Sequence, residues 1–251
     1  MEFDLSFYLI AALIVFLTGI SKAGFGAGVE MMAVPVMALF ISPVIAAGIM
    51  LPILLSIDAA NLWRYRADWQ RPMVFVLLPA AVVGIAIGTM TFQFLSQDWI
   101  RFGLGVLTLS FVVHRLLLPS GSAGSRFSRP ITVILASLGG FTSFVAHAGG
   151  PPLKMILLSH NLPNRQFVAT NSYLFAAVNV LKILPYVWLG QFSVQNMSTS
   201  LSLAPFVLLG VPIGFWLNGV VTQVWFNRII IGALILAGTK LVWDGSVVLT
   251  G

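Results

Sequence analysis

Lys22-Ala23-Gly24-Phe25-Gly26-Ala27-Gly28, leading into Glu30 and Pro35, and His147-Ala148-Gly149-Gly150-Pro151-Pro152, leading into Lys154, decide how this chain folds. Both stretches interrupt hydrophobic sequence with glycine and proline, the residues that continue a helix worst. Lipid offers no hydrogen bonds to free backbone N–H and C=O groups. Broken backbone is therefore stable at membrane depth only inside protein or against a wet cavity. Paired breaks in corresponding places of two halves point to the binding region of a secondary transporter, and the chain reads as a small one.

The composition agrees. Of 251 residues, 59% are hydrophobic and 8% charged, against about 25% charged in a soluble domain. The formal charge of +6 is assigned to arginines in cytoplasmic loops, because no basic cluster long enough for a nucleic-acid patch occurs. The expected partners are the lipid bilayer and a small anionic substrate, with no nucleic acid and with a homodimer among the open assemblies. The absence of cysteine excludes disulfides, thiolate metal sites and a cysteine nucleophile. Met1-Glu2-Phe3-Asp4 is acidic where a secretory signal is basic, so the first apolar stretch is expected to be a retained membrane segment.

A spanning helix needs about 20 apolar residues. Candidates are Leu5–Ser21, Pro43–Trp63, Met73–Phe92, Trp99–Leu118, Pro130–Ala146, Asn164–Leu189, Ser202–Val221 and Val224–Val242. Val29–Ile41 and Leu153–Ser159, which follow the breaks, are too short to span alone. Pro119–Ser125 has flexible-linker composition and divides the chain into a first membrane repeat (1–118), a linker (119–128) and a second repeat (129–251). An offset of about 126 positions places Pro79 on Pro205, Gly84 on Gly210, Gly88 on Gly214, Gln97 on Gln223 and Trp99 on Trp225. Lysine and arginine mark the loops at Arg64, Arg66 and Arg71, at Arg115, Arg126 and Arg129, and at Arg165 and Arg228, whereas Gln93–Asp98 and Gly190–Ser200 carry none. The positive-inside rule then turns the halves upside down relative to each other and puts both termini outside. The expected fold is an all-α integral membrane protein of two inverted repeats, each with a glycine-broken hairpin plus three transmembrane helices.

The duplicated glycine-rich break followed by proline, in a chain of this size, resembles the sulfite exporter TauE/SafE family of bacterial membrane proteins, over essentially the whole chain. The resemblance implies movement of sulfite, organosulfonates or related small sulfur-containing anions, and a multi-pass location in the bacterial inner membrane. The first break here is interrupted by Phe25 and Ala27, and the second ends in two prolines.

An oxyanion needs N–H donors and positive potential. Free N–H groups at a helix N-terminus supply both, so Gly24, Gly26, Gly28, Gly149 and Gly150 are candidate substrate-binding positions if the short helices begin at their glycines. Pro151 or Pro152 suits a first helical turn. Small residues also serve tight helix packing, which is the structural alternative. Lys154, close behind the second break, either attracts the anion or snorkels to the surface. Glu30 occupies the comparable place in the first half, as a partner for Lys154 or as a carboxylate carrying a coupling proton. Asn171, Asn179 and Lys182 share a broad face of one helix, interrupted by Phe175, and Asp58 with Asn61 forms a second polar patch; Asp58 is the other coupling candidate. His147 stands at the break, able to titrate or donate. Lys22 is placed on the cytoplasmic side as a guide or anchor. Trp63, Trp69, Trp99, Trp188 and Trp225 fit an interfacial belt.

No nucleotide-binding loop, His-Glu-x-x-His signature or Gly-x-Ser-x-Gly elbow occurs. The chain is therefore expected to be no enzyme, with no catalytic residue, metal or cofactor. The expectation is a secondary transporter, an exporter, working by alternating access at a midplane site formed by both breaks. The alternatives are an anion channel, a membrane subunit of a larger complex and, behind these, an intramembrane enzyme.

Overall fold

Ten helices and no strand are seen among the residues described by the computed structural model, which are 3–25, 29–66, 68–117, 127–217 and 223–250. They are α1 (Leu5–Phe25), α2 (Glu30–Met37), α3 (Pro43–Arg64), α4 (Arg71–Phe94), α5 (Gln97–Leu117), α6 (Arg129–Ala146), α7 (Gly150–Leu158), α8 (Asn164–Trp188), α9 (Val194–Leu217) and α10 (Gln223–Thr250). Seven of them, α1, α3, α4, α6, α8, α9 and α10, are long and apolar enough to cross a membrane. At 1.5 Å per residue, α2 and α7 reach only about 12–14 Å and do not span. The Pro119–Ser125 linker lies outside the described residues.

Several boundaries differ from the sequence expectation: α9 begins at Val194 and not at Ser202, and the expected span Trp99–Leu118 forms α5, which is not among the seven. α1 does not stop at Ser21 but continues through Lys22 and Gly24 to Phe25, and α10 continues past Val242 to Thr250. The first extension has a packing cause. A Cβ on Gly24 would drive into the carbonyl of Gly214, so this glycine lets α1 and α9 touch rather than ending the helix.

Glycine sets the principal helix pairs. α1 packs on α9, α4 on α6 and α5 on α10, and each contact is a place where backbone meets backbone. Gly84 lies against the Ser137 carbonyl and Gly140 against that of Ala81, joining α4 to α6. Gly210 lies against Phe16 and Gly214 against Ile20, joining α9 to α1. Close approach through small residues is how helices associate where lipid supplies no hydrophobic drive between them. The coincidence of Gly84 with Gly210 and of Gly88 with Gly214 now has a physical meaning, because corresponding glycines make corresponding contacts. Exchanging α1–α5 with α6–α10 converts the α1–α9 pair into the α6–α4 pair and leaves the α5–α10 and α3–α8 pairs unchanged.

Three buried threonine hydroxyls are satisfied within their own helices. Thr89, Thr108 and Thr142 each donate back to the carbonyl four residues earlier, at 2.8, 2.7 and 2.9 Å. α3 and α8 stand at the centre and bury Asp58, Asn61, Asn171, Asn179 and Lys182.

Substituting Gly84→Ala or Gly210→Ala forces two backbones apart and is expected to cost about 1–3 kcal/mol. Gly103→Ala, with open space at its Cβ, is expected to leave the melting temperature of the detergent-purified protein unchanged. Equal melting temperatures for all three variants would refute this account of the packing.

Candidate functional site

The first break opens beside a buried ion cluster. Lys22 lies in the last turn of α1, where the helix dipole favours a cation, and Glu30 in the first turn of α2, where it favours an anion. Lys22 Nζ stands 2.6 Å from Asp58 Oδ1 on α3 and 3.6 Å from Glu30 Oε2. None of these three side chains is more than 5% exposed. Asn61, one turn beyond Asp58, donates from Nδ2 to the Lys22 carbonyl at 3.4 Å, and the Val29 N–H donates to Ser21 Oγ at 3.2 Å. Both Glu30 carboxylate oxygens are buried with no hydrogen-bond donor among the described residues. Lys22 is thus no cytoplasmic anchor, as the sequence suggested; it is the centre of the cluster, and the ion partner of Glu30 is Lys22. Lys154, half-buried on α7, adds its own attraction to Glu30 from the other break.

The second break is built differently. α6 ends at Ala146, and His147 turns into the left-handed region at φ 52°. The N–H groups of His147 and Ala148 donate to the carbonyls of Ser143 and Thr142, each at 3.1 Å, a Schellman-type end. His147 Nε2 lies 3.0 Å from the Ala47 carbonyl on α3, and Nδ1 lies 2.8 Å from Lys182 Nζ on α8. The neutral imidazole protonated at Nε2 satisfies both contacts, donating to Ala47 and accepting from the ammonium. Lys182 also donates to the Ser143 carbonyl at 2.9 Å and to Ser143 Oγ at 3.1 Å. Its three protons therefore meet three neutral acceptors, and among the described residues no carboxylate lies within ion-pair distance of it.

One bond joins the clusters. Asn179 Nδ2 donates to Asp58 Oδ2 at 2.5 Å, tying α8 to α3. From Pro43 to Asn164, the starts of these helices, the offset is 121 positions. The same offset carries Asp58 onto Asn179 and Asn61 onto Lys182, and it relates their contacts as well. Asn61 reaches the end of α1 at the Lys22 carbonyl, and Lys182 reaches the end of α6 at the Ser143 carbonyl.

The breaks themselves meet. Met31, directly after Glu30, brings its sulfur within 3.6 Å of where a Cβ on Gly150 would stand. α7 begins at Gly150 as the sequence expected. Pro151 and Pro152 have no N–H, however, so Gly149 and Gly150 carry the free amides of its first turn. α2 begins at Glu30 and not at a glycine, and a carboxylate already occupies its positive end. Gly26 and Gly28 lie outside the described residues, and Gly24 is within α1. Asn171 is buried on α8 two turns before Asn179. A cavity of about 280 Å³ opens beside the breaks, between Met31, Ala148, Pro151, Pro152 and Thr142 among others. Its walls are almost wholly carbon.

Sequence inspection missed Ser143 as a partner of Lys182 and missed Ala47 altogether. Ser143 carried a signal, standing four residues before His147 in the turn that the break must cap. Ala47 contributes a backbone carbonyl, for which side-chain chemistry offers no clue.

A family model described as sulfite exporter TauE/SafE matches residues 11–241. No curated protein and no solved structure matches the chain.

Removing one partner from a buried ion pair costs about 3–5 kcal/mol, because the remaining charge is left without compensation. Lys22→Met is therefore expected to destabilise strongly, and Lys22→Met combined with Asp58→Asn and Glu30→Gln to destabilise less than Lys22→Met alone. Thermal unfolding in one detergent measures both. A triple variant weaker than the single one would show that the charges do not act as a unit.

Proposed function

Because the chain belongs to the sulfite exporter TauE/SafE family, and is a multi-pass membrane transporter and not an enzyme, we propose that it carries a small sulfur-containing anion across the bacterial inner membrane. Lys182 is the observation that supports this best. It is a fully buried lysine that, when protonated, is held by Ser143 and His147, which bind its protons without neutralising its charge. A charge at membrane depth is costly and marks a pathway, and this one lacks the counter-ion that an anionic substrate would provide. Lys154 adds positive potential from α7. The amides of Gly149 and Gly150, with His147, Asn171 and Asn179, supply donors around the same region.

Alternating access of the two repeats, 1–118 and 129–251, in inverted orientation follows as the mechanism. The exchange relation between their helix pairs supports it, and so does the closed state of the core, where Lys22, Glu30, Asp58, His147, Asn179 and Lys182 are all at most 5% exposed. A carrier passes through such an occluded arrangement, whereas a conducting channel keeps a wet path. Glu30 and Asp58 are the coupling carboxylates in this scheme. Export of an anion is also favoured by an inside-negative potential, worth about 2.3 kcal/mol per charge per 100 mV.

Thermal unfolding of the purified protein with sulfite, sulfate, thiosulfate, sulfoacetate, taurine and chloride tests the proposal. A ligand at a hundred times its Kd stabilises by about 2.7 kcal/mol, a shift of several degrees. The expected result is a selective rise with a sulfur oxyanion that Lys182→Met abolishes and Lys154→Ala reduces. A rise that survives Lys182→Met would place the anion elsewhere, and folded wild-type protein indifferent to every anion would overturn the proposal.

A further inference from the structure

The segment 68–70, just before α4, does not simply turn the chain. It reaches across to the first turns of α8, in the other half of the sequence, and is held there by four different interactions. Arg165 Nε lies 2.6 Å from Asp68 Oδ2. Gln70 Nε2 donates to Gln166 Oε1 at 2.9 Å, and the Gln70 N–H donates to Thr170 Oγ1 at 3.0 Å. The rings of Trp69 and Tyr173 stack at 4.1 Å between centroids with only 2° between their planes, and the Arg71 guanidinium lies 5.5 Å from the Trp69 ring centre. Trp69 thus has partners within the protein, whereas Trp63, Trp99 and Trp188 are all more than half exposed.

The opposite end has a counterpart. The offset of 121 that relates α3 to α8 carries Gln70 onto Gln191, in the loop between α8 and α9. Gln191 packs against α3 at Gly48, where a Cβ would stand 3.2 Å from the Gln191 Cβ, backbone oxygen and Oε1. That loop is pinned by Asn196 Nδ2, which donates to the Gln191 carbonyl at 2.7 Å, and by the Gln191 N–H on the Tyr186 carbonyl at 2.8 Å. Each loop thus closes on the central helix of the other half. Nine residues separate Thr170 from Asn179 on α8 and ten separate Gly48 from Asp58 on α3, about 14–15 Å of helix in each case. The Asp58–Asn179 bond therefore lies midway between the two closures.

We propose that Asp68, Trp69 and Gln70, clasped on Arg165, Gln166, Thr170 and Tyr173, form the gate that seals the buried charges from the side of the membrane bearing Arg64, Arg66 and Arg71, with Gln191 on Gly48 as its lighter counterpart at the other face. The inference rests on the carrier function proposed above and adds the element that must open. The two gates differ in strength. One carries an ion pair, two hydrogen bonds and an aromatic stack between halves; the other packs Gln191 on Gly48, with the Ser200 hydroxyl donating to the neighbouring Ile49 carbonyl at 2.8 Å. The arginine-side gate is the one closed more firmly in this conformation. Because it joins loop to helix end through one exposed ion pair, two part-buried hydrogen bonds and one aromatic stack, it separates without breaking a helix.

The chain contains no cysteine, so introduced thiols report alone. The Gln70 N–H bond to Thr170 Oγ1 sets the two Cα atoms about 7 Å apart or less, within reach of a disulfide. Gln70→Cys with Thr170→Cys, reconstituted in liposomes, is expected to lose transport at least tenfold on oxidation and to regain it on reduction. A second measurement needs no substrate. Ser172→Cys, buried just beyond the gate, is expected to react with a membrane-impermeant maleimide at least five times faster when Trp69→Ala is added, and at an unchanged rate when Trp188→Ala is added instead. Undiminished transport by the oxidised pair, or a labelling rate indifferent to Trp69→Ala, would overturn the gate. If labelling responds while neither the parent nor any variant moves a sulfur anion, the gate stands and the carrier function assigned to it fails.

Discussion

Charge buried where lipid surrounds the protein is the constraint on which this structure depends. Lys22, Glu30, Asp58 and Lys182 are removed from water, and each would exact several kcal/mol if left uncompensated. The fold answers in two ways. In the first half, opposite charges are brought together at the junction of α1, α2 and α3, with helix dipoles aligned to favour each sign. In the second, a cation is held by carbonyl, hydroxyl and imidazole. The two solutions are joined by the Asp58–Asn179 bond, which ties α3 to α8.

Bringing these groups so close requires that backbones approach closely too. The glycines of α1, α4, α6 and α9 allow that, and they do so in equivalent positions of the two halves. Helix ends supply the rest. A helix that stops within the core leaves carbonyls unpaired, and here those carbonyls become ligands: that of Lys22 for Asn61, that of Ser143 for Lys182 and that of Phe144 for the Tyr186 hydroxyl at 2.7 Å. The breaks are therefore structural and chemical at once. Their interrupted backbone is what the buried polar side chains bind.

Much of the architecture was legible because the signals are strong ones. Long apolar segments, the Gly84–Gly210 and Gly88–Gly214 correspondence and the break before Gly150 translate directly into spans, helix pairs and the start of α7. The first break was harder. Gly24 looks like a helix stop, yet contact with Gly214 on a helix nearly two hundred residues away keeps it helical, and periodicity along α1 contains no trace of α9. For the same reason Lys22 passed as an anchor at a helix end. Only the placement of Asp58 and Glu30 around it shows that the end is buried. Asn179 and Lys182 were identified as polar residues on one helix face, but their partners, an acid from the other half and the capped end of α6, are tertiary facts.

The differences between the two halves carry as much information as their likeness. Asp58 corresponds to Asn179 and Asn61 to Lys182, and electrostatics forbids making the halves identical. With aspartate at both of the first positions, two carboxylates would face each other across the α3–α8 contact, and one would have to take up a proton. With asparagine at both, Lys22 would keep only Glu30, 3.6 Å away. Lysine at position 61 would set a second ammonium at the end of α1, beside Lys22, and asparagine at 182 would leave the core with no cation beyond those its own carboxylates already engage. A symmetric pair of repeats can form the scaffold, but a scaffold that is to receive an anion has to concentrate unpaired positive charge in one half and keep its carboxylates in the other. The distribution of Asp58, Asn61, Asn179 and Lys182 meets that requirement, and duplication alone would not have produced it.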